Sequence, residues 1–221
     1  MSVRISIVGG SGYTAGEMLR LIINHPELEI EQVVSRSNAG QPLWRLHPHL
    51  RGHDLPSFVD TDSLNESDIL ILAQPHGIAQ KKIAYYSEIA PKIIDLSSDF
   101  RLNTATNYEK WYGDAHLAPD WLPRFVYGLP ETCRKEISNS QHVSGVGCNA
   151  TATILALLPL IKHDLLITDR PIIAEIKTGS SEGGSKANPG SHHPVRSGSV
   201  RSYASVGHRH TAEIQQMLGV E

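Results

Sequence analysis

Apolar residues in the first hundred positions of the chain follow two alternating patterns. Short segments rich in aliphatic residues, which we interpret as strands, occur at residues 5–8, 30–34, 68–73 and 92–96. The run at 68–73 is nearly continuous, as is typical of a strand buried in a parallel sheet. Between these segments, residues 17–25 and 78–90 repeat apolar side chains at the spacing of an amphipathic helix. Strands that alternate with helices in this way predict the α/β class, with a doubly wound parallel sheet.

A glycine-rich turn follows the first predicted strand. Gly10, Gly12 and Ala15 match the G-x-G-x-x-A spacing, in which glycine lets the backbone approach a pyrophosphate at a helix N-terminus. The order of strand, glycine turn and helix therefore predicts a Rossmann-like dinucleotide site. The alternative is a tight turn that binds no ligand.

The second predicted strand leads into Ser35, Arg36 and Ser37. NAD-specific enzymes usually carry an acidic residue at this place, where it binds the ribose hydroxyl groups. An arginine between two hydroxyl groups suits a 2′-phosphate instead, because the guanidinium pairs with phosphate oxygens. We therefore predict NADP rather than NAD as the cofactor, with a solvated surface arginine as the alternative.

Cys148 is flanked by Gly147 and followed by an apolar run, so a turn is predicted to pass into a helix at the thiol. A free cysteine, with a pKa near 8.5, is only about 3 % thiolate at pH 7. A helix N-terminus supplies about 1–2 kcal/mol of stabilisation to a thiolate, so a second group, most plausibly a histidine, is needed. Cys148 is our candidate nucleophile, whereas Cys133, without a glycine turn, is predicted to be a structural residue.

A candidate for that second group lies near the end of the chain. His208 and His210 are separated by Arg209, and Glu213 follows within one helical turn. These residues could supply a general base, a clamp for phosphate or carboxylate, and a group that orients the base. The alternative is a solvated helix start.

Composition limits the class of partner. A chain of 221 residues with 40 % hydrophobic residues and a net charge of −3 is predicted to be globular, without a membrane span. The sequence has no block of lysine or arginine that would predict nucleic-acid binding, so a small anion or another protein is the expected partner.

His47, His49 and His53 lack the spacing of a metal site, and no metal is predicted. The first residues enter a strand without a signal sequence, so we expect a cytoplasmic protein.

Five motifs occur in an order that resembles a known enzyme family over essentially the whole chain. They are Gly12-Tyr13-Thr14, Ser98-Asp99-Phe100-Arg101, Tyr127-Gly128-Leu129-Pro130-Glu131, Gly147-Cys148 and Gly207-His208-Arg209-His210-x-x-Glu213-Ile214. In this order they resemble the N-acetyl-gamma-glutamyl-phosphate reductases. Residues 148–151 and 180–194 further resemble the archaeal and Thermus-type branch, which reduces an amino-acid phosphate attached to the carrier protein LysW. Aspartate-semialdehyde dehydrogenase shares the chemistry but is not expected to show the His-Arg-His-x-x-Glu pattern.

The resemblance implies a reductive dephosphorylation. The Cys148 thiolate would attack the acyl phosphate, and NADPH would reduce the resulting thioester to an aldehyde. His208 and His210 are the candidates for the base, and we favour His210. The other residues that the resemblance assigns are Gly10, Ser11, Gly12, Tyr13 and Thr14 for the pyrophosphate, Ser35, Arg36 and Ser37 for the adenosine phosphate, Arg101 for the substrate phosphate, and Asn149, Ser181 and Glu213 for substrate binding.

The segment of residues 180–201 is rich in glycine, serine and proline. Lys186, Arg196 and Arg201 outnumber its single acidic residue, Glu182, so it is predicted to be a basic loop. An acidic carrier such as LysW would be steered towards this charge. The alternative is an ordinary mobile loop.

We predict a Rossmann-like NADP-binding domain at residues 1–147 and an α+β catalytic and dimerisation domain at residues 148–221, in a homodimer or homotetramer. Val146 stands where the resembled family usually has proline. The chain ends inside the helix after His210, where family members continue, so we expect the second domain to be truncated. A reductase that acts on the free N-acetyl substrate and an inactive NADP-binding remnant are the alternatives.

Overall fold

The computed structural model describes residues 2–167 and 170–220 of the chain. The outer ends of the two predicted domains, Met1 and Glu221, lie outside the described residues. Backbone contacts divide the chain into two compact units. The first runs up to Asn103 and includes His116–Gly145, and the second comprises Thr104–Ala115 and the chain from Val146 onward. The division at residue 147 that the sequence indicates remains a prediction.

The first unit contains a six-stranded sheet in which every pair of neighbours is parallel. Its strands, in the spatial order β2-β1-β3-β4-β6-β5, are β1 (Val3–Val8), β2 (Leu28–Val34), β3 (Ile69–Leu72), β4 (Lys92–Asp95), β5 (Phe125–Tyr127) and β6 (His142–Ser144). The strand order reverses between β1 and β3, and the crevice at such a point is where open α/β sheets bind ligands. The predicted Rossmann-like, doubly wound parallel sheet is confirmed.

The helices divide between the two units. They are α1 (Tyr13–Ile22), α2 (Ala79–Ile89) and α4 (Pro130–Asn139) in the first unit, and α3 (Ala105–Tyr112), α5 (Cys148–Lys162), α6 (His193–Arg196) and α7 (His210–Leu218) in the second. Short 3₁₀ turns fill much of the connection between β2 and β3.

Burial explains where the core of the first unit lies. Leu70, Ile71 and Leu72 of β3 are consecutive and all buried, because helices cover both faces of a parallel sheet. Leu19 and Ile22 of α1 are buried in the cluster formed around β1. Helix α1 starts four residues before the predicted position, since the glycine turn passes directly into it, and it ends at Ile22 rather than at residue 25.

Strands β5 and β6 are absent from the sequence-based prediction. Each has three residues, and β6 consists of His142, Val143 and Ser144, a composition that does not indicate a strand. Residues of β6 pair in register with Ile93, Ile94 and Asp95 of β4 on one side and with β5 on the other. Pairing with a preformed sheet therefore outweighs weak local propensity.

The described part of the second unit consists of α-helices joined by long irregular segments. Helix α5 packs against α7, and both helices bury small and aliphatic side chains, including Ala150, Ile154 and Ala212. From 146 to 167 and from 170 to 220 the chain forms helices and turns without an assigned strand. Within the part of the chain that the structure describes, no helix combines the length and the apolar character that crossing a bilayer requires.

Candidate active site

A cleft of about 350 Å³ opens in the first unit at the carboxyl ends of three neighbouring strands. It brings together Ser11 from the glycine turn and the Ser35–Ser37 segment that follows β2. These positions match four of the residues predicted to bind the cofactor. The lining is Val8, Gly9, Ser11, Val34, Ser35, Arg36, Ser37, Thr61 and Gln74.

The glycine turn is locked onto the strands on either side of β1. The amides of Gly9 and Gly10 both donate to the carbonyl oxygen of Val34, over 3.1 and 2.9 Å. Gly9 has φ +90°, and a Cβ there would lie 2.5 Å from the carbonyl oxygen of Ala73. A Cβ at Gly10 would overlap the side chain of Val33. Only glycine therefore permits this close approach of the turn to the sheet.

The N-terminus of α1 completes the turn. Gly12 is its N-cap residue, with extended φ and ψ, and no described side chain caps it. Apart from its chain neighbours, no described atom lies within 4 Å of the place where a Cβ of Gly12 would be. Tyr13 and Thr14 are exposed in the first helical turn. Uncapped amides at a helix N-terminus with open space beside them fit a pyrophosphate group.

Arg36 projects from the 3₁₀ turn Arg36–Asn38. Its side chain is 78 % exposed, and its Nε lies 3.9 Å from Oδ1 of Asp60. Such an exposed ion pair contributes little to stability, so the guanidinium can exchange this partner for a phosphate at low cost. The side-chain amide of Asn38 donates to the hydroxyl oxygens of Ser35 and Ser37, at 2.9 and 3.0 Å. Sequence reasoning missed Asn38, because it carries no charge and follows the motif.

Arg101, the predicted ligand of the substrate phosphate, is held by backbone carbonyl groups. Its Nε donates to the oxygen of Gly145 over 2.8 Å, and one terminal nitrogen donates to the oxygen of Leu96 over 3.2 Å. These bonds connect the loops that follow β6 and β4. The role of Arg101 as a ligand of the substrate phosphate remains a prediction.

A buried carboxylate network lies beside Arg101 and was not predicted. Asp99 accepts hydrogen bonds from the amides of Gly77 and Gln80, at 2.6 and 3.0 Å, and so caps the start of α2. Asp95 accepts from the amide and hydroxyl groups of Ser97, at 3.1 and 2.7 Å. Burial raises the pKa of Asp95 to about 7, against the opposing effect of the Ser97 hydrogen bonds.

Cys148 is the first residue of α5 and is exposed. Gly147 is the N-cap residue and has no side chain of its own to cap the first amides of the helix. The prediction that a turn passes into a helix at this thiol is confirmed. A thiolate at this position lies where the helix dipole and uncapped amides favour negative charge.

The residue before Cys148 is in close contact with α7. The amide of Gly147 donates to Oε2 of Glu213 over 2.9 Å. A Cβ at Gly147 would lie 2.6 Å from Oε1 of Glu213 and 2.8 Å from Nε2 of His210. His210 is 7 % exposed and Glu213 is fully buried, with 3.9 Å between their Nε2 and Oε1 atoms. The structure therefore brings the turn of the candidate nucleophile together with one candidate base and the acidic residue.

His208 differs from His210 in its contacts. Its Nδ1 accepts a hydrogen bond from the backbone amide of His210 over 3.1 Å, which places the proton of a neutral His208 ring on Nε2. The two rings lie 4.5 Å apart and nearly perpendicular. Of the two, His210 packs against Gly147, but the identity of the base remains a prediction.

Asn149, which is predicted to bind substrate, is linked by hydrogen bonds to the residue next to Ser181, the other predicted substrate ligand of this region. The side-chain amide of Asn149 donates to the hydroxyl oxygen of Tyr203 over 3.1 Å. That hydroxyl donates to Glu182, the neighbour of Ser181, over 3.2 Å. Desolvation, ahead of smaller contributions, raises the pKa of Tyr203. Sequence reasoning missed Tyr203 because 54 positions separate it from Asn149.

The predicted basic loop is exposed over most of its length. Lys186 and Arg201 are exposed, whereas Arg196 donates to the carbonyl oxygen of Thr178 over 3.4 Å. Glu182 accepts from the hydroxyl group of Thr178 over 2.9 Å. Among the described residues, no group of three histidine, cysteine or acidic residues is placed to hold a metal ion.

Comparison with protein families identifies both parts of the chain. Residues 4–140 match the model of the semialdehyde dehydrogenase NAD-binding domain, and residues 148–221 match that of the semialdehyde dehydrogenase dimerisation domain. The chain belongs to the semialdehyde dehydrogenase family. The first match confirms a nicotinamide-dinucleotide site in this chain, while the choice of NADP over NAD remains a prediction.

The named relatives indicate which type of reductase the chain resembles. A protein of Thermomicrobium roseum, provisionally named LysW-L-2-aminoadipate 6-phosphate reductase, is 47 % identical over 220 residues, which is 100 % of this chain and 62 % of that protein. The LysW-L-2-aminoadipate/LysW-L-glutamate phosphate reductase of Sulfurisphaera tokodaii is 44 % identical over 99 % of this chain and 63 % of its own length. The resemblance to LysW-linked reductases is therefore confirmed, and the chain spans just over three fifths of these relatives.

A solved structure shares the fold. The aspartate semialdehyde dehydrogenase II of Vibrio cholerae matches 100 % of this chain and 67 % of its own, with a TM-score of 0.64 and 12 % identity. At this identity the match concerns the fold alone.

Proposed function

We propose that this protein reduces a LysW-linked amino-acid acyl phosphate to the semialdehyde, with NADPH as the reductant and phosphate as the second product. The substrate is aminoadipyl 6-phosphate, glutamyl 5-phosphate or both, in lysine or arginine biosynthesis in the cytoplasm. The observation that carries the proposal is the exposed Cys148 at the start of α5, with the amide of Gly147 bonded to the buried Glu213 beside His210. The names of the similar relatives support the substrate class.

Cys148 performs the first chemical step. His210 takes the thiol proton, and the amides at the start of α5 stabilise the thiolate that forms. The sulfur bonds to the acyl carbon while the bond from that carbon to the phosphate oxygen breaks, and phosphate leaves with the electron pair. A thioester to Cys148 results. Glu213, whose Oε1 lies 3.9 Å from Nε2 of His210, keeps the imidazole in place.

The cleft of the first unit would hold the cofactor. Its glycine turn and the open N-terminus of α1 fit the pyrophosphate, and Arg36 would bind the 2′-phosphate. Bound NADPH supplies a hydride to the thioester carbonyl carbon. His210 protonates the oxygen on which negative charge develops, and it takes the proton back when the bond from carbon to sulfur breaks. The aldehyde leaves, and Cys148 is regenerated.

Two further features of the second unit support the proposed interactions with a carrier protein and with further copies of this chain. The exposed Lys186 and Arg201 provide positive charge for an acidic carrier. In the second unit, Leu165, Ile173 and Val206 are exposed apolar side chains within a region that matches a dimerisation domain. We propose that they are covered in a homodimer or homotetramer, since exposed apolar side chains of this size mark interaction surfaces.

The test follows NADPH oxidation on three substrates: LysW-aminoadipyl phosphate, LysW-glutamyl phosphate and free N-acetylglutamyl phosphate. We expect turnover on a carrier-linked substrate, and we expect Cys148→Ser to abolish it while NADPH binding, measured by cofactor fluorescence, is retained. Preference for the free substrate would contradict the carrier and support an arginine-pathway reductase. NADPH binding without turnover on any of the three would favour a binding remnant.

A further inference from the structure

His47 is a buried polar residue that the proposed chemistry does not use. It lies in the connection between β2 and β3, with its side chain 4 % exposed and its ring 6.2 Å from that of Phe58. Its backbone amide donates to the carbonyl oxygen of Leu43, four residues earlier, over 3.0 Å, and it serves as the N-cap residue of the 3₁₀ turn Pro48–Leu50. The backbone that carries the imidazole is therefore held on both sides.

The ring of His47 contacts the glycine turn at a backbone atom. Its Nε2 lies 2.7 Å from the carbonyl oxygen of Gly10. A carbonyl oxygen only accepts, so Nε2 carries a proton and donates it to this bond. The Gly10 amide is bonded at the same time to the oxygen of Val34 over 2.9 Å. Gly10 is therefore held by its N–H group from β2 and by its carbonyl group from His47.

The bond from His47 to the Gly10 carbonyl group also sets the direction of the Ser11 amide. The carbonyl group of Gly10 and the N–H group of Ser11 belong to one planar trans peptide, in which the two point in opposite directions. Holding the oxygen against His47 therefore directs the Ser11 N–H group away from His47. Ser11 lines the cofactor cleft, and amides of this turn are the donors that a pyrophosphate requires.

The start of α1 is tied to the same segment. Nδ1 of His47 faces Gly16, where a Cβ would lie only 2.6 Å away. His49 donates from its Nε2 to the carbonyl oxygen of Gly16 over 3.2 Å. Gly16 thus allows the close approach that the bond from His47 to Gly10 needs. Two histidines of one loop therefore hold the segment from the glycine turn to the first turn of α1: His47 bonds to Gly10 at its start, and His49 bonds to Gly16 at its end.

We propose that His47 is a positioning residue for the dinucleotide: by donating to the Gly10 carbonyl group, it sets the orientation of the peptide that offers the Ser11 amide to the pyrophosphate. The inference rests on the proposed cofactor site and goes beyond it, because His47 contributes through the backbone of the turn.

The test compares substitutions at position 47 by titration of cofactor fluorescence. His47→Phe keeps an aromatic ring against Phe58 and removes the donor, and we expect it to weaken NADPH binding about tenfold. His47→Gln places an amide nitrogen close to the position of Nε2 and should restore most of the affinity. His47→Asn, whose shorter amide reaches only the position of Nδ1, should not. His53→Phe, at an exposed position, is the matched control.

A second ligand separates positioning from general damage to the fold. Adenosine 2′-monophosphate has no pyrophosphate, so its affinity should be the same in the wild-type protein and in all four variants. Equal losses for both ligands, or NADPH affinity in His47→Phe and His47→Asn within about twofold of wild type, would overturn the proposal. Failure of the wild-type protein to bind NADPH would overturn the proposed cofactor site and this inference together.

Discussion

The cofactor cleft and the cysteine site use the same device, a glycine beside a helix N-terminus, but they differ in what surrounds it. Gly12 faces open space, and the turn before it is bonded to the adjacent strands of a buried sheet. Gly147 faces the side chains of His210 and Glu213 at close contact, and its amide bonds to a residue 66 positions away.

This difference suits the first turn to ligand binding and the second to proton transfer. A turn that leaves its amides open receives a ligand from solution, whereas a turn whose glycine is pressed against a buried histidine and carboxylate holds groups that can move a proton. One added methyl group should therefore have opposite consequences in the two places.

The largest effect is expected from Gly147→Ala. Its Cβ would displace His210 and Glu213, and a displacement of about 1 Å in such a site costs on the order of a hundredfold in kcat. Affinity for NADPH should stay at the wild-type value. Gly12→Ala is the matched change in the other turn, where the methyl group meets no described atom but occupies the space for the pyrophosphate. It should weaken NADPH binding and retain kcat at saturating cofactor; the reverse pattern would refute the comparison.

A second prediction concerns the buried carboxyl group of Asp95 in the first unit. Because burial raises its folded-state pKa to about 7 from the ordinary 3.8, the native state binds this proton more tightly than the unfolded state does. The free energy of unfolding should therefore fall as pH rises from about 4 to 7, by roughly 1 kcal/mol per pH unit.

Urea unfolding, followed by tryptophan fluorescence across this pH range, measures that slope. Asp95→Asn cannot ionise, so the dependence should flatten, even though the bonds to Ser97 also change. Asp54→Asn, at an exposed position, should leave the slope as it is. An unchanged slope in Asp95→Asn would show that other groups control stability in this range.

The smallest effect is expected at the rim of the cofactor cleft. Arg36→Ala should weaken NADPH binding about tenfold, because one charge-assisted contact to the 2′-phosphate is lost. NADH lacks this phosphate, so its affinity should hardly change. Arg45→Ala, an exposed arginine outside the cleft lining, is the control in the same fluorescence titration. A similar loss for NADPH and NADH would show that Arg36 does not select the 2′-phosphate.

Local patterns predicted the parts of the molecule that depend on neighbours in sequence. The four segments predicted as strands became β1 to β4, and the start of α5 at Cys148 followed from its glycine and the apolar run behind it. Strands β5 and β6 were missed, because three residues carry too little periodicity and their pairing comes from the sheet. The cap that Asp99 supplies to α2 was missed for a similar reason, since it joins residues about twenty positions apart.

By itself, the sequence determined the α/β class, the glycine turn and the residue types of the proposed acyl-phosphate chemistry, because these depend on short-range spacing and side-chain chemistry. Only the tertiary structure decided that Glu213 bonds to Gly147, that Asn149 reaches Tyr203 and that His47 holds Gly10. Each of these contacts joins elements far apart in the chain, and a hydrogen bond of about 3 Å forms only after packing has placed both groups.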